Sequence, residues 1–85
     1  MEVYWITFRS LTHAQRSARL LERSGVTATV VKAPQGLTSN GCAYAVTLRR
    51  RPEEALDLLR RNNMRVGRVF RRSPDGSFEE VRLML

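Results

Sequence analysis

One cysteine, Cys42, and one histidine, His13, are the side chains of this 85-residue chain suited to soft nucleophilic chemistry and to proton transfer near neutral pH. A lone cysteine excludes an internal disulfide, and with a lone histidine there is no Cys/His set to hold zinc. The expectation is therefore no metal and no cofactor. An unperturbed thiol is only about 3% thiolate at pH 7, but a helix N-terminus or neighbouring cations lower its pKa. Cys42 closes the loop formed by Ala33, Pro34, Gln35, Gly36, Leu37, Thr38, Ser39, Asn40 and Gly41, a stretch without a carboxylate. Its glycines allow close backbone approach. Two readings of Cys42 follow: a reactive, exposed thiol, or a half-buried small hydrophobe at the start of a strand. His13 likewise reads either as a proton donor or thiolate partner near Cys42 or as an exposed first-turn residue. No Asp or Glu is placed to orient it, so a Cys-His-acid hydrolase lacks its third member. Ser39 reads as a loop hydroxyl rather than a nucleophile.

The elements that position these residues come from periodicity and punctuation. Val3 to Phe8, aromatic and β-branched, reads as a first strand. Ser10 or Thr12 caps a helix, with Thr12-His13-Ala14-Gln15 as a possible capping box. Ala14, Ala18 and Leu21 recur at helical spacing up to Arg23, and Gly25 stops the helix. Val26 to Lys32 reads as a second strand and Ala43 to Arg49 as a third. Pro52, with Glu53 and Glu54 behind it, opens a second helix that buries Ala55, Leu56 and Leu59. Arg65 to Arg72 alternates around Val66 and Phe70 as a fourth strand. Ser73-Pro74-Asp75-Gly76 turns the chain into a fifth, Phe78 to Leu85.

This order is the ferredoxin-like βαββαβ pattern with an extra C-terminal strand, an α+β single domain over residues 1–85. It predicts that Tyr4, Ile6, Phe8, Tyr44, Val46 and Leu48 face the helices. Val3, Trp5, Thr7, Ala43, Ala45 and Thr47 then line an open face, small and mildly apolar, that could pair two copies of the chain. It also brings the loop from residue 33 to 42 to the end where helix one begins. There Arg9, Ser10 and His13, with the helix dipole, would favour an anionic sulfur.

Fifteen Lys plus Arg against eight Asp plus Glu give a formal charge of +7, and all the cations but Lys32 are arginine. Such an excess fits nucleic acid or acidic proteins as partners, or simply a codon preference for arginine. No apolar run approaches the ~20 residues of a membrane span. Met1 to Trp5 lacks a basic n-region and a cleavage site, so the expected address is the cytoplasm.

The chain resembles the small bacterial domains of the selenium/sulfur carrier-like family. The likeness runs through Tyr4-Trp5-Ile6-Thr7-Phe8-Arg9-Ser10, Thr12-His13-Ala14, Leu20-Leu21 and Ser24-Gly25-Val26. It continues in Pro34, Leu37-Thr38-Ser39 leading to Cys42, the strand from Ala43 to Leu48, and Glu54-Ala55-Leu56. The resemblance implies that Cys42 holds sulfur or selenium as a persulfide or selenopersulfide, with no turnover chemistry of its own. It implies a cysteine desulfurase-like donor and a separate acceptor as partners. Supporting residues would be Arg9, Ser10 and His13, with the loop residues Pro34, Thr38, Ser39, Asn40 and Gly41. This sequence departs from the family pattern in Gln35, where a basic residue is usual, and in a loop one residue longer. Gly41 precedes the cysteine instead of following it, and Ala18 stands where an acidic residue is expected.

Two other classes share the topology. An RNA-recognition-like module has the same element order and a matching charge, and Asn40-Gly41-Cys42-Ala43-Tyr44 echoes the motif on its third strand. Cys42 stands there in place of the first stacking aromatic, and Trp5 alone is a thin platform. A regulatory or scaffold domain would instead bind a protein through its open face or edge strand.

Overall fold

The computed structural model describes residues 3–34, 37 and 43–82. Its central strand is β1 (Val3–Phe8), followed by α1 (Leu11–Arg23), β2 (Thr29–Lys32), β3 (Tyr44–Leu48), α2 (Pro52–Arg61), β4 (Val69–Arg72) and β5 (Phe78–Glu80). The strands form one sheet in the order β2-β3-β1-β4-β5, antiparallel at every step. That is the α+β, ferredoxin-like arrangement with β5 added outside β4.

Strand alternation decides the core. Ile6, Phe8, Val46, Leu48 and Val69 point to the helices and meet Ala14, Ala18, Leu21, Ala55, Leu56 and Leu59. Tyr4 and Tyr44 pack at the margin of this cluster. The helices present apolar residues at the i, i+4, i+7 spacing that puts them on one side.

The face away from the helices differs from the expectation of an open surface. Trp5 is 9% exposed, Phe70 6% and Ala45 0%, and they form a second apolar cluster with Val3, Val31, Ala33, Leu37 and Phe78 packed against it. The Phe78 ring stands edge-on to Trp5 at 5.2 Å and to Phe70 at 6.5 Å, both favoured aromatic geometries. Phe70 thus lies opposite the side that Val66 packs on, whereas the fourth-strand alternation placed both on one face. The reason is that β4 begins only at Val69, so Val66 belongs to the connection and does not set the strand's phase.

Other boundaries also move. β2 starts at Thr29 rather than Val26, β3 loses Ala43 and Arg49, and β5 ends at Glu80. Residues 83–85 lie outside the described residues. Val26 is drawn out of β2 because its N–H donates to the Leu21 carbonyl, 2.9 Å, as α1 terminates at Gly25 with φ +86°. Pro52 opens α2 as expected, with Arg51 before it in the left-handed region and paired to Glu54 at 3.5 Å.

The β4–β5 hairpin is closed by Gly76 N–H donating to Ser73 O at 2.9 Å, with Gly76 at φ +90°. Asp75 accepts from the Ser77 hydroxyl at 2.7 Å and the Ser77 N–H at 2.9 Å. These bonds, the hydroxyl's foremost, hold its carboxyl below the ordinary value of 3.8. A depressed folded-state pKa stabilises above the unfolded value, and that contribution is lost as pH falls through the folded one. Wild type is therefore expected to unfold at a higher temperature than Asp75→Asn at neutral pH. The gap should close as pH drops below 3.8. Melting curves of both proteins across that range check it.

Candidate functional site

The end of the sheet that receives the β2–β3 loop can be built from its described neighbours. The register sets Phe8 opposite Tyr44 and Lys32 opposite Tyr44, so β1 ends, β2 ends and β3 begins together. Arg9 and Ser10 follow Phe8 directly, and α1 starts at Leu11. The expectation that Arg9, Ser10 and His13 share an end with the margins of the loop is thus met for the described residues. Cys42 itself, with Thr38, Ser39, Asn40 and Gly41, lies outside them.

Ser10 is the helix N-cap, not Thr12. Its backbone is extended (φ −132°, ψ 153°), and its Oγ accepts from the His13 N–H at 3.1 Å. The same Oγ lies 2.7 Å from His13 Nδ1. His13 therefore stands at the third helical position, but its ring meets the Ser10 hydroxyl rather than the Ser10 backbone N–H that Glu or Gln takes in a capping box. Thr12 loses the competition because chain entry from β1 leaves two residues, Arg9 and Ser10, before the first helical turn. His13 is exposed, with Nδ1 engaged by Ser10, which leaves Nε2 as its second hydrogen-bonding atom. No acidic residue lies in the first turn of α1, so the positive end of its dipole is not offset from within the helix.

Ser10→Ala removes one capped N–H and the contact to His13. It is expected to cost about 1 kcal/mol, which for a domain of this size lowers the melting temperature by roughly 4–8 °C. Thermal unfolding checks it; an unchanged transition would mean that another group takes over the cap.

Both margins of the loop are anchored. The Ala33 N–H donates to Ala43 O at 2.8 Å, extending the β2–β3 ladder by one pair. The Leu37 N–H donates to Pro34 O at 3.2 Å, and the Leu37 side chain packs on the Trp5–Ala45–Phe70 cluster. Pro34 is exposed. Leu37 is the anchor that sequence reasoning missed; its signal was an isolated large apolar residue in an otherwise polar loop. Thr7, assigned to the open face, is fully buried where β1 meets the entry to β4. Its Oγ1 accepts from the Arg68 N–H at 2.8 Å, and the Gly67 N–H donates to Thr7 O at 2.8 Å. Burial is tolerated because the hydroxyl is satisfied.

Among the described residues, no group of three or more His, Cys, Asp or Glu could hold a metal ion. No helix among them is long and apolar enough to cross a membrane. The arrangement brings Arg9, an α1 N-terminus with no acidic residue in its first turn, and the anchored margins of the loop to one end of the sheet.

Residues 3–71 match the family model described as "Putative Se/S carrier protein-like", and the chain belongs to that family. Neither the search of curated proteins nor that of solved structures returned a match.

Proposed function

We propose that this protein is a small thiol-based carrier that holds sulfur or selenium on Cys42 and passes it to an acceptor. The family match carries this reading, because residues 3–71 include the chain's one cysteine. The end described above supports it with Arg9, the Ser10–His13 cap and the N-terminus of α1. The chemistry is thiol exchange. The Cys42 thiolate attacks the terminal sulfur of a donor persulfide; the new S–S bond forms on Cys42 and the donor leaves as a thiolate. An acceptor thiolate then attacks the terminal sulfur and Cys42 returns to the thiolate. The sulfur moves in its zero-valent state, so neither step needs an external oxidant or reductant. The partners on this reading are a cysteine desulfurase-like donor and a thiol-bearing acceptor in the cytoplasm.

Intact-mass analysis of anaerobically purified protein, incubated with a cysteine desulfurase and cysteine, tests it. The expected result is an adduct of one sulfur that reductant removes. Absence of any adduct sinks the proposal.

The rival RNA reading finds less support in the sheet. Trp5 and Phe70 are buried, Trp5 with Phe78 standing edge-on to it, so neither ring offers a free face for a base to stack on. Pairing of two copies through this face loses its main attraction for the same reason. Its largest apolar side chains are already covered within one chain.

A further inference from the structure

The outer side of α1 carries a line of like charge. Arg16, Arg19 and Arg23 stand three and four residues apart, opposite the side that buries Ala14, Ala18 and Leu21, and all three are exposed. Cations at these spacings repel one another and weaken the helix that bears them. None of the three forms an ion pair with a carboxylate among the described residues. Arginines elsewhere on the molecule do: Arg51 with Glu54, Arg61 with Asp57, Arg68 with Glu80 and Arg71 with Glu79. The line borders an open groove between α1 and the residues that follow α2. Leu20 and Met64, both partly buried against the main core, lie in that groove. Glu22 is the one acid among its described lining residues.

We propose that this groove docks an acidic amphipathic helix of a partner protein. Such a helix sets carboxylates over the arginines and an apolar row on Leu20 and Met64, the helix-in-groove mode of recognition. From Arg16 to Arg23 the line spans about 10 Å, two helical turns, which suits carboxylates at the same three- and four-residue spacings. Charge complementarity of this kind steers the encounter and fixes the register. A nucleic-acid strand fits less well. Glu22 opposes a backbone charged at every step, and no aromatic ring is among the described lining residues for a base to stack on. This surface is independent of Cys42 and its chemistry. A partner held on it lies along the helix whose N-terminal end adjoins the margins of the β2–β3 loop.

The test is a titration of the ¹⁵N-labelled full chain at about 0.15 M salt, where exposed charges are screened beyond about 8 Å. The probes are a synthetic amphipathic helix with glutamates and leucines on adjoining sides, the same peptide with glutamine for every glutamate, and a short single-stranded RNA. Saturable shifts by the glutamate peptide are expected at the amides of Arg16, Leu20, Arg23 and Met64, with Arg50 and Arg71 unmoved. The glutamine peptide should bind about tenfold more weakly. Arg16→Gln and Arg19→Gln together should weaken binding by about three- to tenfold, while Arg50→Gln leaves it unchanged. Unliganded spectra establish that each variant is folded. Any of four results overturns the proposal: no saturable shift up to about 1 mM peptide, equal binding of the glutamine peptide, shifts spread over the arginines of other elements, or tighter binding of RNA at the same amides.

Discussion

Cys42→Ser is expected to abolish sulfur loading completely, with no residual adduct in the mass spectrum. Serine keeps the shape of the side chain to within one atom. Its hydroxyl is not a thiolate, however, and cannot attack a sulfane sulfur or hold it as an S–S bond. With no second cysteine in the chain, nothing can substitute. The same reasoning fixes the wild-type pH profile. Alkylation of Cys42 should follow the thiolate, with a midpoint below about 7.5 if the local field is at work, against about 8.5 for an unperturbed thiol. On the carrier reading the field would come from the N-terminus of α1, which has no acidic residue in its first turn, and from the exposed Arg9 that precedes the cap, both at the end of the sheet where the margins of the loop lie. His13→Gln, measured beside wild type, separates the imidazole's share from that of the dipole. A midpoint near 8.5 together with no loading would return Cys42 to the role of a packing residue. Loading that persists in Cys42→Ser would place the sulfur on some other group and overturn the carrier proposal directly.

Phe8→Ala is expected to have the largest effect on stability, a loss of about 3–5 kcal/mol. Phe8 is 1% exposed, on the central strand of the sheet, and belongs to the core cluster that includes buried residues of both helices. Removing its ring leaves a cavity that the flanking strands cannot close, because β1 is held by β3 on one side and β4 on the other. A domain of this length has about 4–13 kcal/mol of stability in total, so the variant should be largely unfolded or close to its transition at room temperature. Phe78→Ala is the informative contrast. Phe78 is half-buried on the edge strand β5, and its loss should cost clearly less while uncovering Trp5. Urea unfolding followed by far-UV circular dichroism distinguishes them. A loss below about 1 kcal/mol for Phe8→Ala would mean that the core had repacked around the gap.

Much of this architecture is local and so is written in the sequence. The aromatic, β-branched run Val3–Phe8 gives β1 with its observed ends, and the spacing of Ala14, Ala18 and Leu21 gives α1 and its buried side. Pro52 followed by two glutamates opens α2. Given those elements, the split βαβ topology follows, and with it the meeting of Arg9, Ser10 and His13 with the margins of the Cys42 loop. Cys42 stands out as the candidate site by residue type alone, since no other side chain in the chain has its chemistry.

Which hydroxyl caps α1 was not decided locally. Both Ser10 and Thr12 are good caps, and the choice fell to Ser10 because the exit of the chain from β1 leaves room for no later start. The phase of β4 is a similar case. Val66 and Phe70 share a strand parity in the sequence, but pairing with β1 sets Trp5 beside Phe70 and begins the strand at Val69. That pairing joins residues more than sixty apart in the chain, and no pattern within either segment encodes it.

The same long-range contacts decided what the surface offers. Alternation alone makes the second sheet face an open one. The return of β5 lays Phe78 beside Trp5 and Phe70 and turns that face into a small core. Arg49, Arg50 and Arg51 read in sequence as one charge cluster among several. Only the closing of β2 onto β3 sets Thr29 and Thr47 beside them and makes a cleft, because a cavity is bounded by segments that folding, not chain order, brings together.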